Sequence, residues 1–94
     1  MASADVTLPG SSVLEFEVDG TQRTATLNKP GGYLYNSGSV EAVVNVDAGT
    51  VDTSQGRDPG NLPVPSGKSA PLPPTCGSFT FKAGSSTYLV YTPN

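Results

Sequence analysis

The sequence predicts a small all-β fold: an antiparallel β-sandwich or barrel-like module with a long Pro/Gly-rich extended loop and essentially no helix. Three observations predict it. Short runs such as Val13–Val18 (VLEFEV) and Val40–Val46 alternate with the two-residue period of a half-buried strand. Turn-forming residues punctuate the chain, with 11 glycines and 9 prolines among 94 residues. No window carries an apolar 3.6-residue period without an interrupting Gly or Pro.

Residues 1–12 read as an extended N-terminal arm with no core of its own, because Val6 and Leu8 are its only apolar anchors among Ser3, Pro9, Gly10, Ser11 and Ser12. Residues 13–94 form a single β domain. In Val13–Val18, Leu14, Phe16 and Val18 share one face and Glu15 and Glu17 the other. Asp19-Gly20 follows at once and suits a two-residue hairpin turn with positive φ, so Thr21–Leu27 is expected to return beside it. That register sets Val18 opposite Thr21, Phe16 opposite Arg23 and Leu14 opposite Ala25, keeping the apolar side chains together. Lys29-Pro30-Gly31-Gly32 then breaks the chain before the short run Tyr33-Leu34-Tyr35 and the turn Asn36-Ser37-Gly38-Ser39. The next strand sets Val40, Ala42, Val44 and Val46 on one face, with Glu41, Val43, Asn45 and Asp47 opposite. Ser78–Lys82 and Thr87–Thr92 bracket Ala83-Gly84-Ser85-Ser86 as a second expected hairpin.

Residues 48–77 fit neither pattern. They hold Pro59, Pro63, Pro65, Pro71, Pro73 and Pro74, and so long a connection inside a compact domain is functional, docked on something, or disordered. Asp52–Asn61 is expected to be a mobile tip and Leu62–Pro74 an extended run laid along a surface. Proline presets the backbone and donates no amide hydrogen, so Leu62-Pro63-Val64-Pro65 suits a sheet edge and blunts edge-to-edge aggregation. This run, with Pro71, Leu72 and Pro73, has two possible destinations: contact with another subunit, or packing on its own sheet. Val6 and Leu8 of the arm join these seven residues as candidate partner-binding positions. Lys68 through Pro74 also has the spacing of a basic residue followed by PxxP, the polyproline ligand pattern of SH3 domains, which is short and frequent by chance.

Composition weighs against an enzyme. The chain has no His, which removes the side chain best suited to proton transfer near neutral pH and the commonest metal ligand. Cys76 stands alone, so neither an intrachain disulfide nor a cysteine zinc site is available, and a cytosolic folding compartment fits. Met1–Asp5 carries no basic region leading into an apolar run, so no signal peptide is expected, and no segment approaches a membrane span. The net charge is −3, and Arg23, Lys29, Arg57, Lys68 and Lys82 are scattered, which argues against nucleic-acid binding.

The remaining constellations read as structure first. Glu15 and Glu17 lie about 7 Å apart on strand geometry, within the spacing of glycosidase carboxylates, but their polar neighbours offer no apolar pocket to raise one pKa. Ser66-Gly67-Lys68 allows a Ser/Lys nucleophile pair, yet the loop supplies no evident oxyanion donors. Asp52, Ser54 and Asp58 form a loose calcium-loop pattern that fails at Gly56 and lacks the closing Glu, so a surface turn is the simpler reading. Cys76 has no basic neighbour to stabilise a thiolate and reads as a small apolar filler, with an intermolecular disulfide as the alternative. No catalytic, metal or cofactor site is expected. Tyr33, Tyr35, Tyr88 and Tyr91 suit a sugar-stacking platform, against half-buried packing as the ordinary role of Tyr in a thin sandwich.

Over residues 33–93 the order of motifs resembles a known family. Tyr35-Asn36-Ser37-Gly38, the Val40–Val46 strand, Leu62 through Ser69, Leu72-Pro73, Phe79-Thr80-Phe81-Lys82 and Ser86 through Tyr91 are similar to small β-rich virion proteins of tailed bacteriophages, in particular the capsid decoration or cement class. The resemblance implies a β-sandwich or barrel module without catalytic residues, trimeric on the exterior of the head, that reinforces contacts between major capsid protein subunits. It places the protein on the virion surface, with the arm or the prolyl segment latching onto neighbours, and with neither nucleic acid nor membrane as partner. The alternative from another class is a receptor- or carbohydrate-binding module of a phage tail or fibre. A small soluble host-interaction or inhibitor protein is a third.

Overall fold

A computed structural model describes residues 4–51 and 60–94, and among these the chain is all-β. Its strands are β1 (Val6–Leu8), β2 (Leu14–Val18), β3 (Arg23–Leu27), β4 (Tyr33–Asn36), β5 (Ala42–Asn45), β6 (Asn61–Val64), β7 (Ser69–Pro71), β8 (Ser78–Ala83) and β9 (Thr87–Thr92). They build a β-sandwich from a five-stranded sheet, ordered β1-β3-β8-β5-β6, and a four-stranded sheet, ordered β2-β9-β4-β7. Neighbours are antiparallel except β1, which runs parallel to β3.

Neither expected hairpin forms. Leu14, Phe16 and Val18 pair with Tyr91, Leu89 and Thr87, while Arg23 and Ala25 pair with Phe81 and Phe79, so β2 and β3 belong to different sheets. β8 and β9 are divided between the sheets in the same way. Gly20 keeps a negative-φ backbone. Instead, the Asp19 carboxylate accepts the Thr21 amide at 2.9 Å and the Asp19 carbonyl accepts the Ala83 amide at 2.8 Å, which ties the two crossings side by side. The physical reason is that alternation specifies which face is apolar but not where its partner lies. A hairpin sets two apolar faces side by side; a crossing between sheets sets them opposite each other across the core, and the same pattern satisfies both.

The core lies between the sheets. Phe16 from one sheet meets Phe81 from the other with ring centroids 5.0 Å apart, and Phe79 lies 6.1 Å from Phe81. Around them Val18, Leu34, Ala42, Val44, Val64, Leu89 and Tyr91 are fully buried. The arm docks on this core: β1 pairs with β3, and Leu8 is fully buried. Three residues suffice because the edge of β3 supplies the hydrogen-bonding partner that an isolated arm lacks.

Val43 and Asn45, assigned to the face opposite the core, are buried as well. The chain after β5 folds back over the outer surface of the five-stranded sheet. There the Thr80 hydroxyl donates to the Gly49 carbonyl at 2.6 Å, and the Val51 amide donates to Gln22 Oε1 at 2.9 Å. Asn45 Oδ1 accepts the amides of Asp47 and Gly49 and holds the turn. Gly60 adopts φ +86°, and a Cβ there would stand 2.6 Å from the Asp47 carboxylate. Of the expected mobile tip, Asp52–Pro59 lie outside the described residues, and Asn61 begins β6.

One buried amide joins the sheets. Asn36 is fully buried at the end of β4; its Nδ2 donates to the carbonyls of Val40 at 2.7 Å and Val64 at 2.8 Å. Its Oδ1 accepts the Gly38 amide and the Thr87 hydroxyl, both at 2.9 Å, so the whole hydrogen-bonding capacity of the side chain is used. Gly38 permits this approach, because a Cβ there would lie 2.0 Å from Thr87 Oγ1. Replacing Asn36 with Leu removes these four bonds and strands the buried Thr87 hydroxyl and Val64 carbonyl. Urea unfolding of Asn36→Leu is expected to show a loss of about 3 kcal/mol, against less than about 0.5 kcal/mol for the exposed Ser37→Ala.

Candidate binding surface

Outward positions of the four-stranded sheet are set by strand parity. Tyr33 and Tyr35 on β4, Tyr88, Val90 and Thr92 on β9, Glu15 and Glu17 on β2, and Ser69 and Pro71 on β7 all face away from the core. Tyr33, Tyr35 and Tyr88 are 48%, 42% and 42% exposed, and with Val13 at 59% they are, among the described residues, the large hydrophobic side chains left in solvent. Tyr33 and Tyr35 are about 7 Å apart along their strand, and Tyr88 is a diagonal neighbour of Tyr35 at about 7–8 Å. Pro71 pairs with Tyr33 and extends the surface toward the sheet edge.

Tyr91 does not belong to this platform. Its odd spacing from Tyr88 turns it inward, where it is fully buried and its hydroxyl donates to the Gly31 carbonyl at 3.0 Å. Gly31 and Gly32 carry φ of +91° and +96°, and a Cβ on Gly32 would meet the Thr92 carbonyl at 2.5 Å. The breaker sequence thus shapes the backbone cradle in which the phenol is held.

Glu15 and Glu17 do share one face, as the spacing predicts. Each carboxylate accepts a serine hydroxyl, Glu15 from Ser37 at 2.9 Å and Glu17 from Ser86 at 2.8 Å. Glu15 is exposed and stands opposite Val90 in the open sheet face. Glu17 stands opposite Tyr88 on the same face, so the strand pairing sets both carboxylates on the hydrogen-bonding exterior of the sheet. Ser66 donates to the Gly38 carbonyl at 2.6 Å within the turn that precedes β7, so its hydroxyl proton is engaged by the backbone. Asp52, Ser54 and Asp58 lie outside the described residues; among the described ones no group of three His, Cys, Asp or Glu is placed to hold a metal ion.

The prolyl segment packs on its own sheets and bridges them. β6 is the edge of one sheet and β7 the edge of the other, and the intervening turn is pinned by Gly67 N–H to the Asn36 carbonyl at 2.9 Å. Of the candidate partner-binding positions, Leu8, Val64 and Leu72 are buried in the chain's own core and are unavailable to a partner. Val6 and Leu62 are half-buried against that core, and Pro63, Pro65, Pro71 and Pro73 are exposed. Parity divides them: Val64 faces inward between Pro63 and Pro65, and Leu72 between Pro71 and Pro73.

Cys76 is a free thiol only 5% exposed, beside a shallow depression lined by Val46, Asp47, Pro73, Thr75 and Ser78. Its Sγ lies 3.2 Å from the Ser78 carbonyl, and burial pushes its pKa above the ordinary 9.0. Burial likewise raises the Tyr91 phenol above 10.0. Comparison with protein-family models, curated proteins and solved structures finds no match for the chain.

Both buried groups stay protonated in the folded chain at a pH where the unfolded chain has begun to release its protons. Their contribution is therefore intact below about pH 9 and is lost as pH rises through the folded values. Urea midpoints measured from pH 7 to pH 11 are expected to fall above about pH 9, and the fall is expected to be shallower in a Cys76→Ala, Tyr91→Phe double variant. At pH 8 the thiol is expected to react with a disulfide reagent only slowly until denaturant is added.

Proposed function

We propose that this chain is a non-catalytic structural protein that decorates the head of a tailed bacteriophage and acts by surface complementarity. The observation that carries the proposal is the side of the sandwich where both sheets end in proline-bearing strands. Along β6, β7 and their flanks, Pro63, Pro65, Pro71 and Pro73 stand exposed beside half-buried Leu62. Proline at an edge blocks indiscriminate strand addition, and the backbone, already ordered by its own sheets, loses little entropy when the surface docks. This is the physical profile of a rigid, apolar protein-contact surface, and it occupies the region that resembles decoration proteins.

A protein that binds only the assembled shell stabilises it by mass action, by about 2.7 kcal/mol per site at a concentration 100 times the dissociation constant. A trimer would add avidity across neighbouring capsid subunits.

Quantitative mass spectrometry of purified particles is expected to find the chain at a copy number comparable to the major capsid protein. Absence from the particle overturns the proposal, and a copy number of only a few per particle points instead to a tail or fibre module. On expanded empty shells, a Pro63→Ser, Pro65→Ser, Leu62→Ser variant is expected to co-sediment at least about tenfold more weakly than the parent chain, with its melting transition retained.

A further inference from the structure

We infer that two copies of this chain pair by exchanging their N-terminal strands, so that β1 of each copy lies along β3 of the other and Val13 is buried where the two hinges cross. The inference does not depend on where the protein resides.

The arm docks as a self-contained strand. Its ladder is with β3, through Val6 opposite Ala25, Thr7 opposite Thr26 and Leu8 opposite Leu27. Two further bonds fasten its ends: the Thr24 amide donates to the Asp5 carboxylate at 2.9 Å, and the Asn28 amide donates to the Leu8 carbonyl at 3.0 Å. Leu8 fills an enclosed place in the core. β3 and its flanks recognise residues 5–8 by register and chemistry alone, so the same bonds form whichever copy supplies the strand. Exchange thus leaves the docked contacts unchanged, and the hinge, the new contact between copies and the concentration decide the outcome.

The hinge is Pro9–Val13, which carries the chain from an edge of the five-stranded sheet to an edge of the four-stranded sheet. Within one copy it presses against Lys29: a Cβ on Gly10 would stand 2.7 Å from the Lys29 Cβ, too close for any other residue without a shift. Pro9 fixes a backbone dihedral where the bend begins. A short, constrained hinge favours the path into a neighbouring copy over the return onto its own sheet.

Val13 is a second, independent observation. At 59% it is the most exposed large hydrophobic side chain among the described residues, and it stands at the hinge itself. Ser11 and Ser12 before it are exposed too. In a two-fold exchange the hinges pass each other at the symmetry axis, so Val13 meets its counterpart and leaves water.

The concentration scale follows from the tether. A short linker presents its own arm at an effective concentration of about 1 mM, which a second copy must rival. Relief at the hinge and burial of the paired Val13 side chains lower that requirement about tenfold.

The test uses the full chain, held at about 1 mM and then separated by size. A dimer is expected that dissociates on dilution with a constant of about 100 µM. Exchange is read from a Thr7→Cys, Thr26→Cys variant, since these positions are paired and exposed and lie within disulfide reach on strand geometry, while buried Cys76 does not compete. Oxidation of the dimer fraction is expected to give covalent dimers on a denaturing, non-reducing gel, and oxidation of the monomer fraction an internal bond. Val13→Ser, and separately insertion of Gly-Ser-Gly between Ser11 and Ser12, are each expected to weaken the dimer about tenfold with the monomer's melting transition retained. Monomer alone at about 1 mM overturns the inference. So does a dimer whose bonds are all internal, which would be a surface contact with both arms in place, or a dimer of unchanged affinity in both hinge variants.

Discussion

Asn36 is the point on which the sandwich closes. Its backbone amide donates to the Lys68 carbonyl and its own carbonyl accepts Gly67 N–H, which completes the pairing of β4 with the prolyl turn. Its side chain then reaches Val64 at the edge of the other sheet, Val40 at the entry to β5, and Thr87 at the start of β9. A buried amide with every donor and acceptor filled contributes far more to uniqueness than to bulk stability, because any competing arrangement must leave part of the set unpaired. The core here is modest, with Phe16, Phe79 and Phe81 its only phenylalanines, so directional bonding of this kind determines how the apolar faces are brought together.

The closure depends on small residues around it. Gly38 lets Thr87 approach the amide, and Gly31 and Gly32 wrap the backbone around the Tyr91 hydroxyl on the same sheet. The high Gly and Pro content therefore has two roles. Glycine brings backbone close to buried polar groups, while proline finishes the sheet edges at β6 and β7, where a missing amide donor is tolerated.

Rigidity of the four-stranded sheet is what makes its exterior a candidate site. Tyr33 and Tyr35 are fixed by the pairing of β4 with both β7 and β9, and Glu15 by the pairing of β2 with β9. The inward residues between them, Leu34, Phe16 and Leu89, are anchored in the core. The rings and carboxylates are thus presented without the ordering cost that the same groups would bear on a loop. The outer face of the five-stranded sheet differs, since the chain after β5 lies over Val43, Asn45 and Thr80 and removes them from solvent.

The all-β class was legible from alternation and turn residues, and most strands lie where that pattern places them: Leu14–Val18, Arg23–Leu27, Ala42–Asn45, Ser78–Ala83 and Thr87–Thr92. The paired carboxylates of Glu15 and Glu17 and the shared face of Tyr33 and Tyr35 were legible too, because a period of two is a local property of the chain. The grouping of Tyr91 with the other three tyrosines, and of Val64 and Leu72 with the partner-binding prolines, missed a parity signal present in the sequence: Tyr91 is three residues from Tyr88, and Val64 and Leu72 each lie between two prolines, and all three are buried. Partner strands were not legible. Asp19-Gly20 and Gly84-Ser85-Ser86 connect sheets where local turn chemistry suggests hairpins, and Val6–Leu8 joins β3 in parallel across the intervening β2. Pairing is decided by which apolar faces meet across the core and by where Asn36 finds its four partners, and those are contacts between residues far apart in the chain. Local chemistry determined the strands and their faces; only the tertiary structure decided which strands are neighbours, and hence which three of the four tyrosines share a surface.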